Sequence, residues 1–461
     1  MPPDRWFGVG FREGARGAGA RAADDALVHD DPKLLIVFCS PAHDLQQLLG
    51  EIRERAGSVP LIGCTTAGQI ASAGPSHAGV VVTALGGPGF GVRTTVAVDA
   101  SRNLREAGAR VARGLPDRAD LPHKVMLLLS DGLSGDQQEI VRGAHSVLGA
   151  AVPLVGGCAG DDLKMSRTFQ LYDDRVLTDS VVAAGIASNA PLGVGVRHGW
   201  RRVGEPMLVT SSRSNRVYTL DDQPALDAYL KHLGVTEPAH PDQEGLTRLA
   251  LTHPLGMSRS NGEDQVRFIG GGDFTERSLS CIAEVPQGAL VWIMDGNARS
   301  VLEATDAAYG DSLAALGGQR LLGMIAFDCI ARRAVLGEDG IQREIGRLTG
   351  LASGAPLAGF YTYGEIARTR GVRGFHNQTL VLLSIGLDGP FRLVDPAARG
   401  VRRERFAMHN RDRGRPRGGR ARGRGPRRGR SGDHGRRRTP RRHRLRGRHR
   451  TPRRAQARTA R

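Results

Sequence analysis

Cysteine is scarce in this sequence, and its spacing argues against a disulfide framework. The 461 residues contain five cysteines with no CxxC pair and an odd total: Cys39, Cys64, Cys158, Cys281 and Cys329. Disulfide-stabilised secreted domains use an even number of closely spaced cysteines, whereas this pattern is typical of reduced thiols. We therefore expect a cytoplasmic protein.

Long apolar runs are also missing. No segment approaches the roughly 18 consecutive apolar residues that a membrane-spanning helix needs. The first residues, MPPDRWFGVGFREGARG, carry charges early and contain no apolar core of a signal peptide. We expect no membrane-spanning segment and no membrane partner.

The signatures of common enzyme classes are absent. The sequence contains no GxSxG nucleophile motif, no Walker loop and no HExxH zinc motif. The segment GVGFREG, residues 8–14, comes near a dinucleotide-binding fingerprint, but its glycine spacing departs from GxGxxG. We predict that the protein is not an enzyme and has no metal site.

Lysine is rare, and the positive charge is concentrated at one end. The formal net charge is +18, yet residues 401–461 hold 26 arginines, no lysine and three acids, and residues 1–400 carry 39 basic and 44 acidic side chains. The segment 400–461 has no apolar periodicity, which predicts a disordered basic tail. Such a tail could bind nucleic acid through phosphate contacts. Its composition equally fits a shifted reading frame of a GC-rich gene.

Three segments share a Pro-Leu-x-Gly core: VPLIGCTTAGQI (59–70), VPLVGGCAGDDL (152–163) and APLAGFYTYGEI (355–366). Each follows an aliphatic run (KLLIVFCS, KVMLLLSDG or LLGMIAFDC) and a helical apolar stripe, and each precedes another apolar run. We predict an α/β fold in which repeated strand-helix-strand units form sheets covered by helices.

Two readings of the recurring segment remain open. It is a structural joint, in which proline starts a short strand and glycine allows a tight turn, or it also lines a ligand pocket at the strand ends. Before two of these segments, Ser40 followed by proline predicts a helix N-cap, and Ser134 with Gln137 predicts a capping box.

Several motifs resemble those of FIST (F-box and intracellular signal transduction) domains. PKLLIVFCSPAHD, VPLIGCTTAGQI and TFQLYDDRVLTDSVVAAGI are similar to the N-terminal half of the family. HPLGM, VPQGALVWIMDGN, GFYTYGEIA and FHNQTLVLLSI are similar to the C-terminal half. The resemblance implies a two-part body, with an N-terminal domain at 32–215 and a C-terminal domain at 222–387.

The same resemblance implies a function. FIST domains are intracellular sensory modules of signal transduction, proposed to bind small ligands such as amino acids, and some bacterial members bind haem and respond to nitric oxide. Because no recognisable transmitter follows Leu387, the resemblance implies that a separate partner protein carries the signalling output.

The densest polar and aromatic cluster lies near the end of the predicted body. It contains Tyr361, Tyr363, Glu365, His376 and Asn377, and strand alternation places the two tyrosines on one face. These groups suit the ammonium and carboxylate of an amino acid. The alternative explains the cluster equally well: these side chains form hydrogen bonds with one another and so hold the last strand in place.

Other candidates are weaker. Cys64 and Cys158 stand at matching places in the first two repeats, where they either fill tight turns or contact a ligand. Asp161, Asp162 and Asp328 follow strand ends and fit turn residues or ligand carboxylates.

We predict a small-molecule ligand, preferably an amino acid, and no cofactor. A haem-binding gas sensor is the alternative, since one axial histidine would suffice, and the histidines available for this are His145, His198, His232, His253 and His376. A protein-interaction scaffold with a nucleic-acid-binding tail is the second alternative.

Overall fold

The fold contains three copies of one α/β unit, with an insertion in the third copy. The computed structural model describes residues 5–14, 16–235, 242–258, 264–369 and 374–390. Each copy runs strand, helix, strand, helix, strand, hairpin, strand, so the recurring segment is part of a longer repeat. The segment 400–461, predicted to be disordered, lies outside the described residues.

The first two copies are continuous in the chain. The first comprises β1 (Trp6–Glu13), α1 (Ala18–Ala26), β2 (Pro32–Cys39), α2 (Leu45–Ala56), β3 (Leu61–Thr65), β4 (Gln69–Ala71), β5 (Gly74–Ser76) and β6 (Gly79–Gly86). The second comprises β7 (Phe90–Val98), α3 (Leu104–Ala112), β8 (His123–Ser130), α4 (Gln137–Leu148), β9 (Leu154–Cys158), β10 (Gln170–Tyr172), β11 (Arg175–Leu177) and β12 (Ser180–Ser188).

The third copy is interrupted after its first strand. That strand is β13 (Leu192–Arg197), and the insertion comprises β14 (Arg201–Arg213), β15 (Arg216–Leu220), β16 (Gln223–Pro224), α5 (Ala225–His232), α6 (Gln243–Thr252), β17 (Leu255–Ser258), β18 (Asp264–Arg267), β19 (Ile269–Asp273), β20 (Ser278–Cys281) and β21 (Leu290–Asp295). The copy resumes with α7 (Ala298–Ala314), β22 (Gln319–Cys329), α8 (Ile330–Leu351), β23 (Leu357–Thr362), β24 (Glu365–Arg368), β25 (Phe375–His376) and β26 (Leu380–Pro390).

A parallel strand pair forms the centre of each copy's six-stranded sheet. β2 pairs in parallel with β3, β8 with β9, and β22 with β23. The last strand of each copy returns antiparallel beside that pair, and the first strand lies beyond it. The predicted α/β architecture of repeated strand-helix-strand units is therefore confirmed, with the aliphatic runs as central strands buried on both faces.

The hairpin of each copy joins the sheet of another copy. β4–β5 adds to the third sheet beside β23, β10–β11 adds to the first sheet beside β3, and β24–β25 adds to the second sheet beside β9. This cyclic exchange connects the copies through backbone hydrogen bonds. Strands from both sides of the predicted boundary between 32–215 and 222–387 consequently share sheets, and the boundary itself stays a prediction.

The three sheets enclose a common apolar core. Phe38 of the first sheet packs on Phe360 of the third with ring centroids 4.6 Å apart, and the second sheet contributes Leu127 and Val182. Helices cover the outer faces: α1 and α2 pack on the first sheet, α3 and α4 on the second, and α7 and α8 on the third.

The insertion has a sheet and a core of its own. Its strands follow the order β18-β17-β21-β14-β15-β20-β19, and β16 pairs with β15. Leu226 and Tyr229 of α5 and Leu246 of α6 are buried against this sheet. No helix in the described part of the chain is long and apolar enough to cross a membrane.

Two predicted helix starts are wrong. Asp44, not Ser40, caps α2 by accepting backbone N–H bonds from Gln46 and Gln47. Asp136, not Ser134, caps α4. In both cases the helix begins later than the sequence pattern indicated. Serine and aspartate are both good N-caps, so the pattern does not show which of the two caps the helix.

The predicted match between Cys64 and Cys158 is also wrong, by one residue. Cys64 pairs with Phe38, whereas Cys158 pairs with Ser130, one position further along the strand. Since side chains alternate between the two faces of a strand, Cys64 lies in the core between the sheets and Cys158 under the helices. The third-copy residue equivalent to Cys158 is Tyr361, which pairs with Asp328.

The first two glycines of GVGFREG serve packing. Gly8 and Gly10 lie in β1, and a Cβ atom on Gly10 would stand 1.9 Å from the carbonyl oxygen of Ala22, and one on Gly8 2.0 Å from that of Ala26. Both carbonyls belong to α1. The glycines allow the helix backbone to lie directly on the strand.

Candidate ligand-binding cavity

A cavity of about 430 Å³ lies between the second copy, the third copy and the insertion. The second copy contributes the turn after β8 and the loop before β10. From the third copy come the start of α8 and two residues of the predicted cluster, Tyr363 and Asn377. Pockets between structural units, at the carboxyl ends of parallel strands, are common ligand sites.

Most of the cavity wall is apolar. The insertion supplies Phe268 and Ile282, and the second copy supplies Leu163 and Met165. Leu163 and Met165 are 60% and 56% exposed, although leucine and methionine side chains are normally buried. The wall is therefore suited to the apolar part of a small molecule.

Asn377 is the most informative polar residue of the wall. It is only 2% exposed, and its Oδ1 atom is buried without a hydrogen-bond partner. A buried polar atom normally has a partner, because leaving it unpaired costs about 1–3 kcal/mol. The Oδ1 atom has almost no accessible surface, so the cavity is bordered by other atoms of Asn377.

The charged groups of the wall are acidic. Asp136 caps α4 through a 3.0 Å bond from the Gln138 N–H, and burial raises the pKa of its carboxyl. Glu284 forms an ion pair with Arg142 at 2.8 Å. Among the described residues, no lysine or arginine lines the cavity. The wall thus favours a cationic group over an anionic one.

Tyr363 connects the cavity to Asp161. Its hydroxyl donates to the Asp161 carboxylate and accepts backbone N–H bonds from Asp161 and Leu163. The carboxylate also accepts the N–H groups of residues 165–167. Burial acts to raise the pKa of Asp161, but these donors outweigh it and hold the pKa below its usual range. Burial, with the bond to Asp161, raises the pKa of the Tyr363 phenol, which stays protonated.

The rest of the predicted cluster does not line the cavity. Tyr361 and Glu365 are fully buried, and His376 is 8% exposed with its Nε2 atom 2.9 Å from the Ala367 carbonyl oxygen. Glu365 and His376 lie opposite each other on β24 and β25. The structure therefore places Tyr363 and Asn377 in the cavity wall, with Asp161 bonded to Tyr363, and places Tyr361, Glu365 and His376 inside the body.

The predicted cysteines are buried as well. Burial raises the pKa of Cys158 to about 12, and that of Cys64 rises well above its usual value for the same reason. Neither residue lines the cavity, whereas Cys281 and Cys329 do. All five thiols are free.

The wall of this cavity does not fit a histidine-ligated haem. None of the five candidate histidines belongs to it, within the residues that the structure describes. We therefore derive no chemistry through haem, which stays an alternative prediction for the rest of the body. In the same described residues, no group of three or more His, Cys, Asp or Glu is arranged to hold a metal ion.

Sequence reasoning missed most of the wall. Asp136, Phe268, Ile282 and Glu284 stand in no recognisable motif, and the chain brings them together from distant segments. One signal was available, since GDDLKMS places two apolar side chains in an otherwise polar loop.

Comparisons with known proteins identify the family. Residues 33–223 match the FIST N domain and residues 225–368 match the FIST C domain. An uncharacterised protein of Mycobacterium tuberculosis is 26% identical over 386 residues, which is 81% of this chain and 97% of the relative. One of Mycobacterium bovis is 24% identical over 384 residues, 81% of this chain and 96% of the relative. An uncharacterised protein of Methanocaldococcus jannaschii is 30% identical over 143 residues, 29% of this chain and 27% of the relative. The chain belongs to the FIST family.

Proposed function

We propose that this protein is a small-ligand sensor of signal transduction and that the cavity at Asn377 is its ligand site. The preferred ligand is an amino acid or a similar polar small molecule. The observation that carries the proposal is the cavity of about 430 Å³ itself, whose wall combines the carboxyl groups of Asp136 and Glu284 with apolar side chains.

The wall offers a contact for each part of an amino acid. Asp136 and Glu284 attract an ammonium group. Asn377 also lines the cavity, and a side-chain amide nitrogen donates hydrogen bonds, which suits the carboxylate. Phe268 and Ile282 take up an apolar side chain.

The role proposed for the cavity is binding without catalysis. Burial raises the pKa of Cys281 to about 12, which makes this thiol a poor nucleophile. Cys329 also has a pKa well above its usual value, chiefly because it is buried. The signalling output would then belong to a separate partner protein. The five free thiols suit a reducing compartment, and we place the protein in the cytoplasm.

The test is thermal unfolding of the full chain against a panel of amino acids, nucleotides and haemin. A ligand present at about 100 times its dissociation constant adds roughly 2.7 kcal/mol to the folded state, which raises Tm by a few degrees. We expect this rise with amino acids that carry an apolar side chain.

Variants of two neighbouring residues test the location of the site. Asn377→Ala should lose the ligand-induced rise in Tm, and within the described residues its side chain makes no hydrogen bond that the substitution would break. His376→Ala is the matched control, because His376 lies next to Asn377 in the chain but does not line the cavity. No rise with any amino acid, or a rise that survives Asn377→Ala, would contradict the proposal.

A further inference from the structure

The loop before β10 has an unusual backbone. Asp162, Leu163 and Met165 have φ angles of 56°, 62° and 49°, in the left-handed region that favours glycine. For a bulky residue such as leucine or methionine this conformation is strained, at a cost of about 1–3 kcal/mol each. We name residues 162–165 the strap.

The strap lies between two cavities. Leu163 and Met165 line the cavity at Asn377. On its other side, Asp162 and Leu163 line a second cavity of about 550 Å³ beside α8. Both apolar side chains are more than half exposed, so the conformation gains little from burying them.

Hydrogen bonds at the two ends of the strap hold it in place. The Tyr363 hydroxyl accepts the Leu163 N–H at 2.7 Å, and the Asp161 carboxylate accepts the Met165 N–H at 3.0 Å. Tyr363 also donates to Asp161, so the two side chains act as one unit. Gly132 allows this arrangement, because a Cβ atom there would stand 2.3 Å from the Ala159 carbonyl oxygen and 3.2 Å from the Tyr363 ring.

A strained segment persists only where its surroundings fix it. Here the surroundings are the Tyr363–Asp161 pair. A ligand in the cavity would cover Leu163 and Met165 and bury their apolar surface.

We propose that Tyr363 and Asp161 latch the strap over the cavity, so that Leu163 and Met165 select ligands with an apolar body and the strap reports that a ligand is bound. This inference rests on the proposed ligand site. Tyr363 is then a positioning residue whose main task is to hold the strap. A bound ligand and the latch stabilise the same strap conformation, so each strengthens the other.

The sequence supplies a direct probe of the strap. The chain contains four lysines, and one of them, Lys164, lies exposed in the strap. A protease that cleaves only after lysine therefore reports strap opening as fragments 1–164 and 165–461. Lys231, exposed on α5 in the insertion, serves as the internal control in the same digest.

The first experiment digests the full chain without ligand. Tyr363→Phe should be cleaved after Lys164 about ten-fold faster than the wild type, because loss of a hydrogen bond to a charged group shifts the opening equilibrium by about that factor. Cleavage after Lys231 should not change. Asp161→Asn, which removes one acceptor oxygen, should act in the same direction. Tyr309→Phe is the matched control, since its hydroxyl bonds the Leu351 carbonyl oxygen far from the strap in sequence.

The proposed role of the Tyr363–Asp161 pair, the latch, is contradicted if Tyr363→Phe and Asp161→Asn are cleaved after Lys164 at the wild-type rate. It is also contradicted if cleavage after Lys164 and after Lys231 becomes faster by the same factor, because the substitution then destabilises the whole body.

The second experiment repeats the wild-type digest with L-phenylalanine and with glycine, which lacks an apolar body. We expect slower cleavage after Lys164 with L-phenylalanine only. If L-phenylalanine raises Tm without protecting Lys164, the strap proposal fails and the ligand site stands. If the latch variants behave as expected but no amino acid raises Tm or protects Lys164, the proposed function fails and the latch stands.

Discussion

The carboxyl group of Glu365 occupies the place that the side-chain amide of Gln170 occupies one copy earlier. Gln170 begins β10 and accepts the Ser180 N–H at 3.2 Å, and Glu365 begins β24 and accepts the Thr379 N–H at 3.0 Å. Gln69 has the same role in the first copy. Glu365 is fully buried, and burial raises its pKa well above the usual value. Glu365 is thus the third-copy equivalent of a structural glutamine, and below its raised pKa the protonated carboxyl resembles glutamine in shape.

Glu365→Gln should therefore change the pH dependence of stability. In the wild type, the folded state keeps the Glu365 proton above pH 4.3, roughly where the carboxyl loses it in the unfolded chain. Between that value and the raised folded-state pKa, the folded protein binds more protons, so its free energy of unfolding falls as pH rises. The glutamine variant lacks this dependence.

Urea unfolding at mildly acidic and mildly alkaline pH measures the effect. The variant should gain stability relative to the wild type as pH rises. An identical pH slope for the two proteins would show that Glu365 is ionised in the folded state.

A buried ionic group fastens α8 to its sheet. Arg332 is fully buried, with its Nε atom 2.6 Å from Asp328 and its Nη2 atom bonded to Glu344. α8 contains a kink at Gly337, where φ is 65°, so Arg332 and Glu344 connect the segments before and after the kink. Asp328, a candidate ligand carboxylate in the sequence, lies inside this group.

Arg332→Met should cost about 3–5 kcal/mol, because it leaves two buried carboxyl groups without their cation. Burial and the proximity of Glu344 already raise the pKa of Asp328 well above its usual value. Arg299→Met is the control, since Arg299 is exposed and its pair with Glu303 lies on the surface; it should cost less than about 1 kcal/mol. Urea unfolding compares the two, and equal losses would refute the structural role of the buried group.

The sequence predicts local elements better than their partners. The aliphatic runs before the Pro-Leu-x-Gly segments predict the parallel strands, because their periodicity and composition are local properties. Nothing local indicates that Gln69 and Gln170 begin hairpins that join other sheets, because strand register depends on distant partners. The site shows the same limit: the cluster around Tyr363 and Asn377 predicts one side of the cavity, while Phe268 on the opposite side comes from the insertion.

Glycine substitutions test the packing of α1 against β1. Gly10→Ala should destabilise the protein by about 3 kcal/mol, because the new Cβ would stand 1.9 Å from the Ala22 carbonyl oxygen. Gly50→Ala is the opposite control. Gly50 lies within α2, and a Cβ there would have no atom within 4 Å, so alanine should stabilise by about 1 kcal/mol. Thermal unfolding of both variants provides the measurement, and a tolerated Gly10→Ala would show that these glycines do not serve packing.

Thiol labelling orders the five cysteines by access to the cavity. Cys39 and Cys64 are fully buried within the first sheet, and burial raises the pKa of Cys39 to about 12. Cys281 and Cys329 are 2% and 4% exposed and line the cavity.

With iodoacetamide near neutral pH, we expect slow labelling of the cavity thiols first, because they need only a local opening, and labelling of all five only in urea. Peptide mass spectrometry resolves the order, and an amino acid bound in the cavity should protect Cys281 and Cys329 without affecting Cys39. Early labelling of Cys39 would contradict the burial of the first sheet.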